Sequence, residues 1–254
     1  MKELQVKILL TNDDGIEAEG INALFDVFSQ EYETYMIAPH MERSACSNAI
    51  TVRDKLEIIK KDKNKFAVTG FPADCSNIGI NGDIIPEPDI IISGINHGPN
   101  VGDDVYFSGT VAGARTAYIF GKTGIAMSLD SYHKPSNFFH DFADFTKVFI
   151  ERIANIVEIP QLYNINYPDI PKNEVKGVKY TFIGKREYGD TYKTFESSNN
   201  IVVQLTGDMS STPKAGSDIT ELENNFISIT PLLLDHTDYE KINSMPDSKE
   251  LFIY

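Results

Sequence analysis

The chain is short of cysteine, short of positive charge and free of any long apolar run, and each shortage closes a class of function. Only two cysteines, Cys46 and Cys75, occur in 254 residues. Neither belongs to a CxxC pair or a His-rich tract, which excludes a disulfide scaffold and offers no zinc site. Both are expected as small buried residues of a cytoplasmic protein. No stretch reads as a membrane span or as the apolar part of a signal peptide, so no membrane partner is expected. Basic residues number 23 against 37 acidic ones, a formal net charge of −14. A nucleic-acid polymer would be repelled rather than gathered by counterion release. A small phosphate ester stays open as a partner, because a bound cation can reverse the field locally. His40, His97, His133, His140 and His236 are scattered, and none receives a catalytic role from the sequence. Internal repeats and low-complexity tracts are absent as well. With 41% hydrophobic and 24% charged residues the chain reads as an ordinary globular protein with a substantial core.

What is present begins with Val6-Lys7-Ile8-Leu9-Leu10-Thr11-Asn12-Asp13-Asp14-Gly15. A short apolar run that stops at a small polar residue, two adjacent acids and a glycine predicts a strand delivering carboxylates to the carboxyl edge of an α/β sheet, where such sheets bind ligands. Adjacent acids repel, and a hard divalent cation between them would lower the cost of ionising both. The alternative for this tetrapeptide alone is an Asx turn with Gly15 at positive φ and no ligand.

Ile21, Leu24, Phe25 and Phe28 recur at helical spacing and predict the first crossover helix. Tyr35–Ala38 then predicts a second strand, after which the loop His40–Asn48 leaves the same edge and carries Ser44. Residues Thr51–Ile59 and Lys65–Val68 predict an antiparallel excursion around a solvated Lys60–Asn64 turn. Gly70–Cys75 opens a short helix, and Asp89–Ser93 predicts a strand buried on both faces. That strand breaks into Gly94-Ile95-Asn96-His97-Gly98-Pro99-Asn100, whose glycines permit backbone N–H groups to converge on an anion. Ser108-Gly109-Thr110 precedes the small-residue run Val111–Ala114 and predicts a helix N-terminus, either a plain Ser/Thr cap or a phosphate cradle. Gly124–Leu129 reads as strand. Phe138, Phe142, Phe145, Phe149 and Ile153 form the core stripe of a helix over about 138–157. Leu162–Ile165 and Gly177–Phe182 predict further strands, and the polar, glycine-bounded stretch of about 184–216 a projecting hairpin. Phe226–Pro231 is expected to close the sheet.

In order and spacing, Asn12-Asp13-Asp14-Gly15, Arg43-Ser44, Ser93–Asn100 with Gly102-Asp103-Asp104, and Ser108-Gly109-Thr110-Val111 resemble the SurE family of metal-dependent nucleotidases, the survival-protein phosphatases. The resemblance continues through Gly70–Cys75, Asn164–Pro168, Gly216-Ser217-Asp218 and Ser228–Leu232, and so covers almost the whole chain. It implies a Rossmann-like, mostly parallel sheet with flanking helices and a smaller C-terminal part whose hairpin exchanges between subunits of a homodimer or homotetramer. Residues 1–135 would carry the metal and phosphate site, and 136–254 would pack on the same sheet. The implied activity is hydrolysis of nucleoside 5'- and 3'-monophosphates with one Mg²⁺ or Mn²⁺ per subunit. The family's metal ligands fall on Asp13, Asp14, Ser44 and Asn96, an all-oxygen set suited to a hard cation. Asp13, Asp14 and Asn96 are then the catalytic residues. Asn12, Gly15, Gly98, Asn100, Ser108, Gly109 and Thr110 are the expected phosphate contacts. Phe71, Thr116 and His40-Met41-Glu42 depart from the family pattern without removing a ligand, and bear on which base or sugar is preferred. The competing reading is a non-catalytic phospho-receiver or nucleotide-binding domain. A receiver requires an aspartate phosphoacceptor where this chain has Asn96, and is about half as long.

Overall fold

A computed structural model describes residues 6–132, 136–154, 160–196 and 200–245. The first half runs β1 (Lys7–Thr11), α1 (Glu19–Phe28), β2 (Glu33–Pro39), β3 (Ile58–Asp62), β4 (Lys65–Val68) and α2 (Pro72–Asn81), then β5 (Ile90–His97), α3 (Asp104–Phe107), α4 (Gly109–Ile119) and β6 (Thr123–Leu129). There follow α5 (Phe139–Ala154), β7 (Leu162–Tyr167), β8 (Val178–Tyr180), β9 (Arg186–Tyr188), β10 (Thr191–Glu196) and β11 (Ile201–Thr206). The chain ends with β12 (Met209–Ser211), α6 (Asp218–Glu223), β13 (Ile227–Pro231) and α7 (Tyr239–Ser244). One nine-stranded sheet has the order β3-β4-β2-β1-β5-β6-β7-β13-β8. Only the β3–β4 and β7–β13 pairings are antiparallel. Among the described residues no helix is long and apolar enough to cross a membrane.

Strand alternation explains the layers. In β1, Ile8 and Leu10 join a core with Ile21, Leu24 and Phe28 of α1 and Phe142 and Phe149 of α5, while Leu9 joins Cys75 of α2 and Ala117 of α4 on the opposite face. Ile92 and Ile91 of β5 divide in the same way. Helices therefore cover both faces, which is why the centres of these two strands, Ile8–Leu10 and Ile90–Ile92, are uniformly apolar. β2 and β5 flank β1 on opposite sides, with Thr11 in register with Ser93. The chain thus reverses its direction of travel across the sheet at β1–β5, and the crevice beyond their carboxyl ends is the natural binding position.

Several boundaries differ from expectation. Residues 51–57 are irregular and β3 starts at Ile58, so Lys60 and Lys61 lie in a strand and the turn shrinks to Lys63–Asn64. β5 continues through Gly94 to His97 with a register shift against β6, which carries Asn96 on the strand rather than in a loop. β13 does not end the sheet, because β8 pairs outside it. Residues 155–157 of the expected α5 lie outside the described residues, as does His133. The stretch from Gly184 to Gly216 is a two-tier ribbon: β9 pairs β12 as a stem, and β10 pairs β11 beyond it.

Gly20 of α1 lies against the backbone of Ile95, and a Cβ there would overlap the Ile95 carbonyl oxygen. A backbone atom in a buried strand cannot swing aside as a side chain can. Gly20→Ala is therefore expected to cost stability near the upper end of the roughly 1–3 kcal/mol typical of overpacking, measured by urea unfolding. A loss below 0.5 kcal/mol, on the order of a neutral surface change, would show that α1 is free to back away.

Candidate active site

β1 ends inside the protein, so the acids that follow it are partly withdrawn from water. Asp13 is only 4% exposed. Its carboxylate accepts the Thr110 hydroxyl, and its carbonyl accepts the Arg43 backbone N–H at 2.7 Å, which pins the Ser44 loop to the acid pair. Asp14 Oδ2 accepts the His97 N–H at 3.4 Å. Burial raises the Asp13 pKa from 3.8 to about 7, helped by the neighbouring Asp14 charge and opposed by Thr110. Burial also raises Asp14 to about 6, with a further push from Glu42. A buried carboxylate beside a half-buried one is costly to ionise together with it unless a cation compensates.

Beside Asp13 lies a cavity of about 260 Å³, whose wall includes Asp13 but not Asp14. Asp13, Ser44 and Asn96 all line it, each delivered by a different segment. The Asn96 amide nitrogen donates to the carbonyls of His97 and Gly98 at 3.1 and 2.8 Å, which leaves its oxygen as the available ligand atom. Ser44 is exposed and donates its hydroxyl to Glu42 at 2.7 Å, so its oxygen lone pairs remain open. No lysine or arginine lines the cavity among the described residues. Carboxylates with raised pKa values, neutral oxygen donors and the lack of a lysine or arginine on the wall among the described residues fit a hard divalent cation. Among the described residues no cluster of three His, Cys, Asp or Glu offers an alternative centre.

The expected phosphate contacts separate into two groups. Asn12 closes both its side-chain atoms on Gly15, a buried Asx turn that uses the Gly15 N–H. The Gly98 N–H is taken by the Leu129 carbonyl, and the Asn100 N–H by Asn166. These four residues brace the loops, with Asn100 lining the cavity while its Nδ2 bonds Ser128. Ser108 caps α4 by accepting the Val111 N–H, which leaves its hydroxyl proton and the N–H groups of Gly109 and Thr110 for an anion. At Gly109 a Cβ would come within 2.7 Å of Cys46 Sγ and 2.9 Å of Asp13 Cβ. Only glycine lets the helix terminus stand this close to the acid.

His97, Asp104, Phe107, Tyr132 and Met209 also line the cavity without having been singled out from sequence for the site. His97 could have been suspected from its place beside Asn96. Met209 carried no signal, since it arrives from the ribbon more than a hundred residues away.

The raised Asp13 pKa has a consequence for the metal-free protein. A carboxyl that titrates near 4 when unfolded and near 7 when folded draws no penalty below pH 4 and its full penalty above pH 7. In chelator, Asp13→Asn should therefore melt above wild type at pH 7.5, and the gap should close toward pH 4 in calorimetry. Equal melting temperatures at pH 7.5 would mean that Asp13 is not destabilised as an ion.

Comparison with known proteins covers nearly the whole chain. Residues 8–190 match the family described as survival protein SurE. A protein named 5'-nucleotidase SurE from Leptospira interrogans is 37% identical over 249 residues, covering 96% of this chain and 98% of that protein. Its counterpart from Nitrosomonas europaea is 37% identical over 243 residues, covering 93% and 96%. The crystal structure of the SurE protein from Aquifex aeolicus superposes with a TM-score of 0.83 at 30% identity, covering 96% of this chain and 99% of that one. With fold, length and sequence in agreement, the chain belongs to the SurE family.

Proposed function

We propose that this protein is a metal-dependent phosphomonoesterase that releases phosphate from nucleoside 5'-monophosphates, and from 3'-monophosphates as well. The observation that carries the reading is the meeting of Asp13, Ser44 and Asn96 in one cavity at the N-terminus of α4, with no lysine or arginine on its wall among the described residues. The names of the relatives supply the ester class. In this reading residues 1–135 carry the cation and phosphate groups, and residues 136–254 supply the ribbon. Asp13, Asp14, Ser44 and Asn96 would hold one Mg²⁺ or Mn²⁺. Bound there, the cation supplies positive charge to the phosphoryl group and acidifies water for attack at neutral pH.

The protein's own groups do the rest. The Ser108 hydroxyl and the N–H groups of Gly109 and Thr110 meet the phosphoryl oxygens, aided by the positive end of α4. The Thr110 hydroxyl stays on Asp13 and fixes the orientation of that carboxylate. The Asn96 amide is clamped by two carbonyls, so its oxygen is presented without a search through rotamers. A phospho-receiver reading fits less well, because Asn96 offers no carboxylate to phosphorylate. The cysteines are free thiols, which agrees with a reducing cytoplasm.

Assembly belongs to the same proposal. Tyr192, Phe195, Ile201, Val202, Val203 and Leu205 of β10 and β11 are all exposed, with Ile201 at 81%. Apolar surface of this kind, held away from its own core, supports exchange of the ribbon in a homodimer or homotetramer. Light scattering at micromolar concentration should give two or four copies, and deletion of residues 190–207 should lower the mass class. A monomer in both cases would exclude the ribbon as an interface.

Hydrolysis of a nucleoside monophosphate should vanish in EDTA and return with Mn²⁺ or Mg²⁺, whereas full activity in chelator would remove the cation from the reaction. Asp13→Asn or Asp14→Asn withdraws a full charge from the cation, worth on the order of several kcal/mol at an effective dielectric near 20, so rate should fall by orders of magnitude. Ser44→Ala removes a neutral oxygen and should be partly rescued by more metal. Asn96→Asp adds a charge, so calorimetric titration should show tighter metal binding while kcat/KM drops. Wild-type values for both quantities would show that Asn96 is not a ligand.

A further inference from the structure

Four groups lining the cavity take no part in holding the cation or the phosphate: Asp104, Phe107, Tyr132 and Met209. All four depend on the stem of the ribbon. Met209 belongs to β12 itself. Tyr188 of β9 meets the Phe107 ring edge-on, with centroids 6.2 Å apart, and donates its hydroxyl to Asp104 Oδ1 at 2.7 Å. Arg186 of β9 donates from Nε to Asp104 Oδ2 at 3.1 Å and from its terminal nitrogen to the Tyr132 hydroxyl at 2.9 Å. Its backbone N–H bonds Asp103 at 3.0 Å.

Phe107 and Met209 are nevertheless 56% and 52% exposed at the mouth of a polar cavity. Phe107 immediately precedes Ser108, so an ester whose phosphate lies at the start of α4 carries its organic part past this ring. An aromatic ring and a polarisable thioether on the wall of one cavity suit a flat π system better than an aliphatic chain. The Asp104 carboxylate and the Tyr132 hydroxyl add polar groups beside it.

We propose that the ribbon stem builds a nucleobase subsite, in which the base of the substrate stacks on Phe107 and is covered by Met209. Arg186 and Tyr188 are positioning residues that hold Phe107, Asp104 and Tyr132 in place. The proposal rests on the nucleotidase reading and names the part of the site that selects a nucleoside. It also makes base selection depend on the element that carries the exposed apolar surface of β10 and β11.

The test compares AMP with ribose 5-phosphate, which keeps the sugar and the phosphate and lacks the base, in wild type, Phe107→Leu and Met209→Ser. Wild type should prefer AMP. Each variant should lose that preference on the order of tenfold, the scale of one stacking partner, with the change in the KM for AMP rather than in kcat. Met209 is on the surface, so its variant reports on the subsite even if Phe107→Leu folds poorly. An unchanged preference in Met209→Ser, or an equal loss on both esters, overturns the subsite while the nucleotidase reading stands. A wild-type enzyme that hydrolyses AMP no better than ribose 5-phosphate also overturns it. If wild type cleaves neither ester, the nucleotidase reading fails and the subsite falls with it.

Discussion

Two carboxylates that the fold refuses to solvate are the constraint on which the site depends. Asp13 and Asp14 follow a strand that is buried on both faces, and their pKa values rise first because water is excluded, with a further push on Asp13 from Asp14 and on Asp14 from Glu42. A protein that only needed a turn at this position would do better with an exposed one. Here three separate segments hold the pair in place: Thr110 from α4, the His97 N–H from β5 and the Arg43 N–H from the Ser44 loop. Burying two neighbouring carboxylates is costly while both are ionised, and the oxygen donors gathered around them are of the kind that relieves such a cost by holding a hard cation.

The scaffold meets that demand through close approach. β1 and β5 run side by side at the point where the sheet order reverses, so the acids and Asn96 leave the same edge. Gly109 lets α4 end almost in contact with Asp13, which brings helix N–H groups for an anion next to carboxylates for a cation. A phosphate ester needs both, because its negative oxygens cannot approach bare acids. The formal charge of −14 is compatible with such a substrate because neutralisation is local.

The ribbon between Gly184 and Gly216 is where catalytic site and outer surface meet. Its stem grips the Asp103–Phe107 segment through Arg186 and Tyr188, while its outer strands expose six apolar side chains to solvent. Asp218 adds a second strap, accepting the N–H groups of Gly102 and Gly184 at 2.8 and 2.7 Å.

Much of this was readable in one dimension. The apolar runs of β1 and β5, the helical spacing of Ile21, Leu24 and Phe28, and the acid, Asn and Ser-Gly-Thr motifs at strand and helix ends predicted the α/β sheet and the edge where its chemistry gathers, because local periodicity and chain order determine both. The sequence also placed oxygen-bearing side chains at these strand and loop ends and offered no cysteine spacing of the zinc type. It misjudged β3 and the reach of β5, where pairing with a neighbouring strand outweighs local composition. Only the tertiary structure decided which donors are free. Gly98 and Asn100 look like anion contacts in a glycine-rich loop, yet their N–H groups are committed to Leu129 and Asn166. Met209, likewise, lines the cavity only because a distant ribbon folds back over it. Motifs report what atoms a segment carries; whether those atoms are spent on the protein or left for a ligand depends on partners brought in from elsewhere in the chain.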